Sequence, residues 1–140
     1  MAVVLKKLFT NDPYIQVNII IAGIILAMLI YSGIFSADGL THPIKSLTTQ
    51  PTVSTGLSRA FSEIVRLNFS KAIEFNVYSI HLFLFFFIQL FQRVTIILLL
   101  LSINISKKLL TITDILISVL LFLWAFFNFI IDQLKNALLM

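Results

Sequence analysis

The chain has no cysteine, only three prolines and four glycines, and few charges: ten Lys and Arg, six Asp and Glu and two His in 140 residues. Without thiols, disulfides, thiolate metal sites and thiol redox chemistry are excluded, while the compartment stays open. The net charge of +4 invites a nucleic-acid reading. However, the basic residues are scattered and form neither a basic helix nor a strand interleaved with aromatics, so no nucleic-acid partner is expected. What fills the chain is apolar: 59% of it is hydrophobic, against 11% charged, and the mean hydropathy is +1.05. A soluble domain cannot hide that much apolar surface, so the excess faces lipid. At about 20 apolar residues per crossing, the chain holds three or four spans and no separate soluble domain. Residues 1–140 read as one membrane domain.

Residues 1–10 form a short amphipathic lead-in with Lys6 and Lys7, followed by Thr10, Asn11, Asp12 and Pro13. Asp12 can accept hydrogen bonds from orphan helix amides and Pro13 has no amide to orphan, which marks a helix start. The run to Phe35, roughly 34 Å of helix, is long enough to cross a bilayer. It is too long for the core of a signal peptide and is read as a retained span. Ala22, Gly23 and Ala27 place small residues on neighbouring turns of it, a pattern that permits close helix approach in lipid.

Residues 36–75 form the polar part, a loop with turn formers Asp38, Gly39, Pro43 and Pro51. From Gly56, apolar residues Leu57, Ala60, Phe61, Ile64 and Val65 recur at helical spacing, and Phe69, Ala72 and Ile73 follow after Asn68. Two short interfacial amphipathic helices are expected here. The second span is placed at 76–101. Splitting it at Gln89, Gln92 and Arg93 would leave a piece about 18 Å long, too short to cross, so one long helix is expected. Arg93 should then snorkel or face protein. The third span is placed at 112–131, opened by a capping pattern of Thr111 and Asp114 with Leu110 and Ile115 as its staple. The fold class is therefore an all-α integral membrane protein, with three transmembrane helices and short interfacial helices between the first and second. The basic residues divide evenly between the two sides. Those on the N-terminal side cluster closer to span ends, which favours a cytoplasmic N-terminus.

The stretch HPIKSLTTQPTVSTGLSRAF, His42 to Phe61, carries a resemblance. It is similar to the hallmark loop of the bacterial membrane-protein family known as domain of unknown function 2752, approximately Cys-Pro-x-Lys-x-Leu-Thr-Gly-x-x-Cys-Pro-x-Cys-Gly-Leu-Thr-Arg-Ala-Phe. Without gaps, Pro43, Lys45, Leu47, Thr48, Gly56, Leu57, Arg59, Ala60 and Phe61 match, and Ser58 stands for Thr. Downstream, Asn68 and Phe69 stand for Asp-Phe, and Ala72 and Asn76 match. His42, Thr52 and Thr55 occupy the cysteine positions and Val77 the later proline. The resemblance implies a multi-span bacterial membrane protein, placed in the inner membrane; it supplies no activity, and any sulfur-based role is lost with the cysteines.

The chemistry within reach is limited. His42 and His81 lack an acid at ligand spacing, so no metal site is expected. A Ser nucleophile in the island would lack an orienting acid, so no catalytic residues and no cofactor are expected. Ser54, Thr55, Gly56, Ser58 and Arg59 could form a helix N-terminus that holds an anion such as a lipid phosphate, or a plain cap. Gln89, Gln92 and Arg93 are the one polar cluster of a kind that transport uses. The leading expectation is a non-enzymatic subunit or accessory factor of a larger membrane assembly, whose partners are the lipid bilayer and other integral membrane proteins or further copies of itself. The alternatives are binding of lipid headgroups or an anionic ligand at the Thr55 to Arg59 turn, and a component of a transporter or channel.

Overall fold

The computed structural model describes residues 12–35, 56–102 and 106–138. Every regular element among them is a helix: α1 Pro13–Phe35, α2 Leu57–Val65, α3 Phe69–Phe75, α4 Ser79–Ser102 and α5 Lys107–Leu138. Three of these, α1, α4 and α5, are long and apolar enough to cross a membrane. The all-helical fold with three spans and two short helices between the first two is thus established.

The local chemistry explains the boundaries. Asp12 Oδ1 accepts the Tyr14 amide at 3.1 Å, and Pro13 opens α1, as the sequence signals. Two charge-bearing contacts hold the far ends of the bundle. Asp12 pairs with Lys107 at the start of α5, and the Tyr78 hydroxyl donates to Asp132 near its end. The hydrogen bond from Lys107 pulls the Asp12 carboxyl below its ordinary 3.8, while the bond to Asp132 raises the Tyr78 phenol above its ordinary 10.0. α1 and α5 therefore begin on the same side, and α4 runs between them in the opposite direction.

α2 and α3 pack on each other and on α4, and α2 also meets α1. Their junction is a Schellman motif: the Leu67 amide donates to the Ile64 carbonyl at 2.9 Å and the Asn68 amide to the Glu63 carbonyl at 2.8 Å. Leu67 adopts the left-handed conformation (φ 64°) where glycine is the usual choice. Gly56, which opens α2, has φ 82°, and a Cβ there would lie 2.5 Å from the Phe75 carbonyl oxygen. Both the conformation and the approach of α3 require glycine. The inner faces of the short helices supply Ala60, Phe61, Ile64 and Ala72 to a core completed by Leu82 of α4. Phe61 meets Phe83 and Phe86 edge-on at 5.5 and 6.3 Å, an arrangement worth about 1 kcal/mol per pair beyond area burial.

α4 begins at Ser79 because Asn76 Oδ1 takes the Tyr78 amide at 3.0 Å and the Asn76 carbonyl takes that of Ser79 at 3.0 Å. It continues unbroken past Gln89, Gln92 and Arg93, and it packs against every other described helix. α5 begins at Lys107, a turn before the Thr111 cap suggested by the sequence. Thr111 therefore sits inside the helix, its hydroxyl donating to the Lys107 carbonyl at 2.9 Å, and Asp114 is released from any capping role.

Candidate functional site

Asp114 points into the bundle and meets Arg93 there. The guanidinium Nη1 lies 2.6 Å from Asp114 Oδ2 and donates to Asn18 Oδ1 at 2.9 Å. Nη2 donates to Gln89 Oε1 at 3.1 Å and to Ser118 Oγ at 3.1 Å. Asp114 accepts two further bonds, from the Tyr14 hydroxyl at 3.0 Å and from Gln92 Nε2 at 2.6 Å. Asn18 is fully buried and anchors its own amide on the Tyr14 carbonyl at 2.8 Å.

Each span contributes one pair of polar residues four apart: Tyr14 and Asn18 from α1, Gln89 and Arg93 from α4, Asp114 and Ser118 from α5. That spacing places each pair on a single helix face. The ion pair is 9% and 6% exposed at Arg93 and Asp114, so its charges are desolvated and must compensate each other. Sequence reasoning singled out Gln89, Gln92 and Arg93, gave Asp114 to a helix cap, and left Tyr14, Asn18 and Ser118 unassigned. Arg93 faces protein, one of the two placements the sequence allowed.

Three atoms of this cluster are buried without a protein partner: Gln89 Nε2, Gln92 Oε1 and Arg93 Nε. Beside it, a cavity of about 360 Å³ lies between the second half of α4 and the first half of α5, with Gln92 and Asp114 in its wall.

The other expected site residues are dispersed. Ser54 and Thr55, like His42 and most of the polar island, lie outside the described residues. Gly56 caps α2 by its backbone, with no side-chain cap bond, and Ser58 and Arg59 are exposed on the helix. Gly23 and Ala27 are exposed and Ala22 half-buried. Nothing lies within 4 Å of where a Gly23 Cβ would be, so that position is open among the described helices. His81 is exposed, its ring 5.2 Å from that of Trp124. Among the described residues no group of His, Asp and Glu is arranged to hold a metal.

No family model, curated protein or solved structure matches the chain.

Proposed function

We propose that this multi-span membrane protein is a non-enzymatic subunit or accessory factor of a larger membrane assembly. The observation that carries the reading is the division of its surface. The ionisable groups of the spans are largely paired with one another inside or at the ends of the bundle, and the outward faces are apolar. In the most apolar stretch of α5 only 11% of the residues are buried, and the outer face of α1 presents Ile20, Ile24 and the open position beside Gly23. Such faces suit contact with lipid or with other spans, where small residues permit close approach. Purification in mild detergent tests this: a defined co-purifying membrane protein is the expected result, and a lone monomer would sink the proposal.

The exposed Ser58 and Arg59 leave binding of a lipid headgroup or anion at the start of α2 as the alternative, with Arg59→Ala expected to weaken lipid retention if it holds. Because the Gln89, Gln92 and Arg93 side chains bond chiefly to protein groups, a structural role suits them better than a wetted transport pathway. Unimpaired flux after replacing all three with Leu would dispose of that pathway. Kinship with the domain of unknown function 2752 family, a bacterial inner membrane and a cytoplasmic N-terminus are part of the same proposal. They rest on the gapless loop spacing and on the placement of basic residues.

A further inference from the structure

We propose that the chain pairs with a second copy of itself along α5, and that the Asn128 amides of the two copies hydrogen-bond to each other inside the bilayer. The inference rests on the reading of the chain as a subunit of a membrane assembly, and it names one contact of that assembly. Asn128 is exposed on α5 and makes no hydrogen bond among the described residues. Its situation is the reverse of that of Asn18, which is fully buried and held by the Tyr14 carbonyl and Arg93. Asp132, one turn further on, is occupied by the Tyr78 hydroxyl and by Lys135. Phe129, Ile130 and Ile131 separate Asn128 from that end of the span, which sets it about 6 Å deeper along the helix axis. An amide that faces lipid there has no water to bond, and its burial is costly until another polar group meets it.

The residues around it form a seam. Ile117, Leu121, Trp124, Asn128 and Ile131 recur at alternating spacings of four and three, the heptad period at which two helices wind about each other. Each of the five is exposed or half-buried, so the stripe is open to a neighbouring helix over two heptads. Trp124 stays exposed even though its ring rests 5.2 Å from that of His81 on α4.

The chemistry of the amide identifies the occupant as a second copy. A carboxamide carries both donor and acceptor and is its own complement, so two of them exchange reciprocal bonds across a two-fold axis. Copies inserted with one topology place their α5 helices parallel about an axis along the membrane normal, and both Asn128 side chains then lie at the same depth. A single Asn in an otherwise apolar heptad seam is also the device that fixes register and pairing in parallel two-stranded coils. Lipid tails supply no such partner, and packing of apolar side chains alone gives little drive to association in lipid.

The lack of cysteine makes the test direct. Leu121→Cys and Ile131→Cys on the seam, with Val119→Cys and Leu123→Cys off it, are made singly in the full chain, reconstituted in phosphatidylcholine vesicles and oxidised with copper phenanthroline. The seam variants should cross-link into dimers at least about fivefold faster than the others, because only facing positions approach to disulfide distance. Dimer affinity, read by energy transfer between labelled copies in the same vesicles, should fall about tenfold in Asn128→Leu. Asn128→Gln, which keeps an amide, should stay within about threefold of wild type. Circular dichroism confirms that each variant is folded. Equal cross-linking on and off the seam, or unchanged affinity in folded Asn128→Leu, would overturn the proposal. If the chain still co-purifies with another membrane protein after either result, only the α5 pairing fails; a lone monomer in both experiments removes the subunit reading as well.

Discussion

Replacing Arg93 with Met should unfold much of what holds the three spans together. The substitution keeps the aliphatic bulk but strands the Asp114 carboxylate with only Tyr14 and Gln92 as donors, and removes the donors to Asn18, Gln89 and Ser118. Breaking a buried pair from one side costs about 3–5 kcal/mol, because the surviving charge stays buried. Asp114→Leu should cost a similar amount, now from an uncompensated guanidinium. The double variant Arg93→Met with Asp114→Leu removes both charges together, and its cost should fall well below the sum of the two single costs, a coupling of about 3 kcal/mol or more. The single tryptophan, Trp124, is a suitable reporter, since its ring lies 5.2 Å from His81 across the α4–α5 contact. Denaturation in mixed micelles, followed by Trp124 fluorescence, measures each free energy. Additive costs in the double variant, or a single-variant cost below about 1 kcal/mol, would refute the reasoning that the pair is desolvated and mutually compensated.

Gly56→Ala should destabilise by at least about 2 kcal/mol, from the left-handed backbone alone and then from the clash with the Phe75 carbonyl; proteolysis of the α2–α3 unit would report it, and a change under about 0.5 kcal/mol would contradict it. At Leu67 the opposite change applies: Leu67→Gly relieves a left-handed strain and should stabilise by about 1 kcal/mol in the same assay. Asp12 has a folded pKa held below its ordinary 3.8 by the Lys107 hydrogen bond, so its stabilising contribution is complete above that value and is lost as pH falls through the lower folded one. Wild type should therefore lose a small increment of stability on acidification through this window, an increment that Asp12→Asn should lack. Lys107 is 64% exposed, so the effect is modest and shrinks in high salt.

The spans were legible because their signal is length and apolar content, which three-dimensional context does not revise. The two short helices were legible for a related reason: Leu57, Ala60, Phe61 and Ile64 recur at the helical period and bury that face. The polar cluster was only half legible. Asp114 stands three residues after Thr111, a spacing that fits a cap equally well. Only the earlier start of α5 at Lys107 turns the carboxylate inward. Asn18 and Tyr14 lay in a span that reads as uniformly apolar, and a single buried amide hardly changes its hydropathy. The repeated spacing of four between polar residues on each span was the available signal. It acquires meaning only when the three faces are known to converge.

The buried ion pair also constrains how the protein enters the bilayer. α4 carries Arg93 with two glutamines on nearby turns, and when it is made its counter-charge has not yet been synthesised. A lone arginine at the centre of a span disfavours insertion by about 3 kcal/mol, which Asn18 of the preceding span can offset only in part. Asp114 lies on the following helix, so insertion of the second and third spans together, as one hairpin, is the expected order. The short connector between Ser102 and Lys107 keeps the two partners near each other during that step, and a long insertion there would slow membrane integration before it affected the finished fold.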